Sequence, residues 1–124
     1  MNPESIGIKV VPRYIAEESQ PGDDQYFFSY TITISNLGTR PCQLMSREWL
    51  ITDGNAGVQE VAGEGVIGQQ PRLAPGESFT YTSAAQLQTP VGTMEGFYFM
   101  RTDEGEGFKV RIEPFLLSFP GAIN

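Results

Sequence analysis

The amino-acid sequence predicts an all-β chain, a sandwich of two antiparallel sheets with about seven strands. Three observations carry this. Glycine and proline clusters recur at short, even intervals, the segments between them alternate apolar and polar residues with period two, and no stretch places apolar residues at helical intervals. Many short strands with a turn signal between nearly every pair build a sandwich of the immunoglobulin or fibronectin type III kind, a closed barrel being the alternative. At 124 residues the chain suits a single domain, residues 1–124, with its core between about 6 and 119.

Taken in order, the first strand is expected over Ile6–Ala16, where Ile6, Ile8 and Val10 alternate with smaller or polar residues, and "QPGDD" ends it. The clearest strand follows in "YFFSYTITIS": Phe28, Tyr30, Ile32 and Ile34 share one face while Phe27, Ser29, Thr31, Thr33 and Ser35 share the other. After "NLGTRP", Cys42–Thr52 forms a strand around the single tryptophan. In its "SREW" segment, Arg47 and Trp49 fall on one face, and Ser46 and Glu48 on the other. Trp49 is expected as the large aromatic anchor of the core. Arg47, on the same face, must then lie near a strand end or be paired, with an anion contact as its functional alternative.

"DGNAG" turns the chain into a short strand at Val58–Ala62. A glycine-rich connection leads to Glu77–Ala85, where Phe79, Tyr81 and Ser83 alternate with threonines, and then to Met94–Thr102 and Phe108–Phe119. Pro114 interrupts the last of these, so that strand should lie at an edge or bend there, since proline donates no ladder hydrogen bond.

Fifteen acidic against eight basic residues give a net charge of -7, which disfavours nucleic acid and anionic membrane surfaces as partners. The cations are scattered singly along the sequence. Apolar runs are far shorter than the roughly 20 residues that cross a bilayer, and no membrane insertion is expected. One cysteine, Cys42, allows no intramolecular disulfide, and the N-terminal residues lack a basic-then-apolar leader, so a cytoplasmic protein is expected. With no histidine, the Ser-His-Asp and Cys-His arrangements are excluded, and no two of the fifteen carboxylates are singled out for acid and base work. No enzyme, no cofactor and no metal site are expected. The acidic residues at Asp23 and Asp24, and at Asp103, Glu104 and Glu106, read as solvated turn residues.

The segment "GEGVIG", Gly63 to Gly68, has the glycine spacing of a dinucleotide fingerprint. That mechanism needs a helix launched from the last glycine, whose amides and dipole face the pyrophosphate. Here "QQPRLAPGE" follows, and Pro71 and Pro75 forbid more than a turn of helix. The glycines are therefore expected as turns, bulges or points of close strand approach. The alternative is a small anion-binding nest at Gly63, Gly65 and Gly68, with Arg72 or Arg47 as counter-charge for a nucleotide or pyrophosphate.

The runs "ITDG", "GVIGQQP", "LAPGESFTYTS" and "TPVGTMEGFY", flanked by "YFFSYTITISNLG" and "FKVRIEPFLLSFP", resemble the ApaG proteins, also called CorD, over about Ile8 to Pro120. The resemblance implies an immunoglobulin-like or fibronectin type III-like sandwich and an association with cobalt and magnesium efflux and resistance. It also implies a protein-interaction role, since related domains occur as modules of eukaryotic F-box proteins and of a polymerase-interacting protein. The family's glycine motif falls on Gly63, Gly65 and Gly68. This chain departs from the family pattern at Glu48, where a histidine usually follows Ser-Arg, and at Ala84, where "YTSG" is usual. The leading expectation is a non-catalytic module that binds an unidentified protein partner through a sheet edge or face. A nucleotide or pyrophosphate binder and a divalent-metal-responsive protein are the alternatives.

Overall fold

Period-two alternation becomes eight strands: β1 (Ile6–Tyr14), β2 (Tyr26–Asn36), β3 (Cys42–Asp53), β4 (Val58–Glu64), β5 (Arg72–Leu73), β6 (Ser78–Leu87), β7 (Val91–Thr102) and β8 (Gly107–Ser118). They are seen in a computed structural model that describes Asn2 and residues 5–121. All seven expected strands are present, with ends shifted by a few residues. The eighth, β5, is two residues long, too short to show a period in sequence. β1 stops at Tyr14 because the chain next runs through two single 3-10 turns, Ala16–Glu18 and Pro21–Asp23.

The strands form two antiparallel sheets, β1-β2-β6 and β4-β3-β7-β8, with β5 beside β3. This is the immunoglobulin-like or fibronectin type III-like sandwich. In β2 every second residue is buried, and Phe28, Tyr30, Ile32 and Ile34 enter the core. The facing sheet supplies Leu44, Met94, Tyr98, Met100, Ile112 and Leu117. Trp49 is the aromatic anchor expected of it: 3% exposed, with the rings of Tyr30, Tyr98 and Phe115 edge-on around it. β8 is an edge strand, and its pairing with β7 shifts register between Met94 and Gly96, opposite Glu113 and Pro114. Pro114 thus both lies at an edge and marks a bulge, as its missing donor requires.

The two long flanks of the sandwich differ. On one, β1 packs against β8 and Tyr14 meets Phe119 ring to ring at 5.0 Å, which closes it. On the other, β6 ends the smaller sheet and β4 the larger, and the gap between them is a groove of about 650 Å3. The larger sheet has five strands and runs four across, β4-β3-β7-β8, against three in the smaller, so the inward residues of β4, Gln59 and Val61, line this groove.

Hydrogen-bond parity shows what β6 presents there. The amide of Asn36 donates to Glu77 O at 2.9 Å, while that of Leu37 donates to Ser5 O and that of Ile15 to Phe27 O. Even-numbered β2 residues therefore bond towards β6 and odd-numbered ones towards β1, as antiparallel alternation demands. In β6 it follows that Thr80, Thr82, Ala84 and Gln86 turn their N–H and C=O groups outward, away from β2. The same residues are the closely spaced pairs on the outer face, where hydroxyls bridge Thr31 to Thr82, Thr33 to Thr80 and Ser35 to Ser78 at 2.7–2.9 Å.

Candidate functional site: the open flank of the sandwich

The groove has an apolar floor and polar walls. Tyr30, Trp49, Ile51, Val61, Leu87 and Met94 supply the floor, and Arg47 is the cation among the lining residues. Asp53 is the lining carboxylate, but its Oδ1 already accepts the amides of Asn55 and Gly57 at 2.8 and 2.9 Å and closes the "DGNAG" turn.

Arg47 is held by the local irregularity of β3. The strand pairs with β5 at Cys42 and Gln43 and with β4 from Ser46 onward, and its ladder with β7 shifts between Leu44 and Ser46. The carbonyl at the shift, Met45 O, accepts the Gly65 amide and the Gln70 side chain, so the connector from β4 to β5 folds over this point. Arg47 Nη1 donates to Glu64 O at 3.1 Å and Gly65 O at 3.0 Å. Gly63 is its cross-strand neighbour, and a Cβ there would meet Nη1 at 2.9 Å. The glycine leaves the space that the guanidinium occupies. Among the described residues Arg47 has no carboxylate within ion-pair distance.

Beside it the hydroxyls of Tyr81 and Tyr98 hydrogen-bond to each other in the core. Burial pushes both phenols well above their ordinary range, and the Arg47 charge opposes this in each. The pair stays protonated wherever the domain is folded at ordinary pH.

The structure brings Gly63, Gly65 and Arg47 together and leaves Gly68 and Arg72 elsewhere. Gly68 occupies the tip of a two-residue turn, Val66 to Gln69, with φ of 44° at Ile67 and 77° at Gly68 and reciprocal amide bonds of 2.8 and 2.9 Å. The amides of Gly65, Val66 and Gln69 thus donate to main-chain carbonyls, and the chain continues into β5 with no helix. Arg72 faces Asp103 through two bonds, Nε to Oδ1 at 3.1 Å and Nη2 to Oδ2 at 2.5 Å, which hold the Asp103 carboxyl below its usual range. Glu104 and Glu106 pair with Arg40. Among the described residues no three Cys, Asp or Glu side chains gather as a metal site. Cys42 is fully buried, and burial raises its thiol. Glu48 is exposed on the face opposite Trp49.

Sequence reasoning missed the outward edge of β6 and the tyrosine pair. One signal for the edge was legible: "SFTYTSAAQL" is ten residues without a charge, proline or glycine.

A two-sheet sandwich closed along β1 and β8 and grooved along β4 and β6 defines an immunoglobulin-like domain with one open flank. A family model described as the ApaG domain matches residues 16–102, and the chain belongs to that family. A relative called Protein ApaG from Ralstonia nicotianae is 52% identical over the whole of both chains. Another from Bordetella pertussis is 49% identical over 100% of this chain and 95% of its own length. A crystal structure described as the ApaA protein of Bordetella pertussis superposes with a TM-score of 0.92 at 51% identity, covering 94% of this chain and 95% of that one. A protein from Archaeoglobus fulgidus shares the fold alone, with a TM-score of 0.54 at 9% identity. No helix among the described residues is long and apolar enough to cross a membrane.

Proposed function

We propose that this ApaG domain is a non-catalytic interaction module that binds another protein along its open flank. The observation that carries this is the edge of β6, whose outward main-chain groups border a groove with an apolar floor. Edge strands are ordinarily blunted, because unpaired N–H and C=O groups template association. An unblunted edge bordering an open groove is what pairing with a strand of another chain needs. On this reading the family's association with cobalt and magnesium efflux runs through the bound protein rather than through ion binding by the domain.

Affinity purification of the tagged protein from its own host, under native conditions, is expected to recover a partner in stoichiometric amount; none at near-physiological salt would end this reading. Titration with ATP, diadenosine tetraphosphate and pyrophosphate checks the nucleotide alternative. Backbone amide resonances of residues 63–68 are expected to stay in place at millimolar ligand, and saturable shifts there would replace the module with an anion site.

A further inference from the structure

We propose that the open flank accepts one extended segment of a partner protein, which adds as a fourth strand on β6 and sets an Asp or Glu side chain against the Arg47 guanidinium. This rests on the interaction-module reading and specifies its mode and chemistry.

The four long edges of the sandwich differ in how they resist strand addition. β1 carries Lys9, Pro12 and Arg13, and by the parity derived above the Pro12 nitrogen lies on its outer side, where it removes a donor. β4 carries Glu60 and Glu64. β8 carries Lys109, Arg111, Glu113 and Pro114 and is broken by a bulge. Charges, prolines and bulges are the devices that keep edges from pairing. β6 has none of them over ten residues, and it directs the main-chain groups of Thr80, Thr82, Ala84 and Gln86 outward.

The space beside that edge suits a strand. Across its width the smaller sheet has three strands against the four of β4-β3-β7-β8, and the vacancy faces the inner side of β4. A segment paired to β6 would point alternate side chains into the groove, towards Val61, Trp49 and Ile51, and the others to solvent.

Charge complementarity selects the residue that such a strand carries. Arg47 shares the groove with Ser83 and Ala84 and is the cross-strand neighbour of Tyr98, whose hydroxyl meets that of Tyr81, so it lies level with the middle of β6. Nη1 is fixed by two carbonyls, while Nε and Nη2 have no carboxylate among the described residues. A guanidinium held in this way presents a fork that a carboxylate matches. A second copy of this chain is disfavoured as the occupant, because each copy carries a net charge of -7 and β6 itself has no acidic side chain to offer.

The test is selection of random twelve-residue peptides displayed on phage against the intact protein and two kinds of variant. Selected peptides are expected to be rich in β-branched and aromatic residues with Asp or Glu at one fixed position. Ala84→Pro and Gln86→Pro each remove an outward amide that bonds to nothing in β2, so both should fold with an unchanged transition. Each is expected to weaken the selected peptides about tenfold or more. Arg47→Met is expected to weaken acidic peptides about tenfold and to abolish the acidic preference in a repeat selection. On peptide binding, the amides of Thr80, Thr82, Ala84 and Gln86 should gain protection from hydrogen exchange. Peptides that bind both proline variants at full strength, show no acidic position, or run in helical or proline-rich patterns would overturn the proposal. So would a dimer of the free protein that Ala84→Pro dissolves. A host protein captured stoichiometrically by the proline variants as well as by the wild type refutes strand addition while leaving the module reading intact.

Discussion

Four substitutions at the end of β4 and in the connector to β5 separate a structural set of glycines from a phosphate cradle. At Gly65, φ is +62° and a new Cβ would lie 2.3 Å from Gln69 O, a main-chain atom with no free rotation to escape. Alanine there costs about 1 kcal/mol for the left-handed conformation. Moving the carbonyl also breaks the reciprocal Val66–Gln69 bonds, at about 1 kcal/mol each, for a total of about 3 kcal/mol. At Gly68 φ is +77° with open space around, so alanine should cost about 1 kcal/mol or less once the stiffer unfolded chain is counted. At Gly63 the obstacle is the flexible end of Arg47. Alanine should therefore change stability by less than about 1 kcal/mol, while it pushes the guanidinium off its two carbonyls. Ile67 runs the other way. A β-branched residue at φ 44° is strained, and its side chain is 52% exposed, so Ile67→Asn should stabilise by about 0.5–1 kcal/mol. Urea unfolding at constant m measures all four. The expected order of loss is Gly65, then Gly68, then Gly63, with Ile67→Asn a gain. A neutral Gly65→Ala, or a Gly63→Ala more costly than it, would refute the geometry on which the reading of this connector stands.

The tyrosine pair makes stability depend on alkaline pH. Folding raises both phenols above the unfolded value of about 10, so the native state keeps two protons that the unfolded chain releases, and their contribution is intact below pH 10 and lost above it. The slope from the pair approaches about 2.7 kcal/mol per pH unit once the unfolded phenols are ionised, and Tyr98→Phe should lower the measured slope by about 1.4 kcal/mol per pH unit in urea titrations above pH 10; an unchanged slope would remove the pair as its source. Asn36 is fully buried; its Nδ2 donates to Arg40 O and Leu73 O at 2.9 and 3.0 Å, and its Oδ1 accepts the Gly38 amide at 3.0 Å. Asn36→Ala should cost about 3 kcal/mol and about 10 °C in Tm, and a loss under about 1 kcal/mol would show that water replaces the side chain.

The fold was legible because its cause is local. Burial along β2 alternates without exception over eleven residues, and Pro114 signalled an edge or a bend where the strand has an edge and a bulge. The face shared by Arg47 and Trp49 follows from parity alone, and the prolines after Gly68 by themselves tell against a helix. What escaped is long-range or too short to repeat. β5 spans two residues, and the ladder shift beside Met45 has no glycine or proline to mark it. The open flank depends on β6 pairing with β2, residues about fifty apart in sequence, so no window along the chain contains it. Asn36 looked like the start of a turn because its role lies in carbonyls at Arg40 and Leu73 that only tertiary packing brings near.

The position of Arg47 links the core to the flank. Arg47 is half-buried opposite Tyr98 of the buried tyrosine pair, and its guanidinium holds one position where fixed acceptors meet its donors. Two carbonyls of the glycine connector meet Nη1, and they can do so because Gly63 leaves room and Gly65 adopts a backbone that alanine would resist. These two glycines thereby seat a cation: one leaves room for the guanidinium and the other supplies a carbonyl that accepts from it. Such a cation, pinned on one side and facing a groove on the other, is preorganised, so a carboxylate arriving there meets a fixed partner and less side-chain entropy is lost on contact.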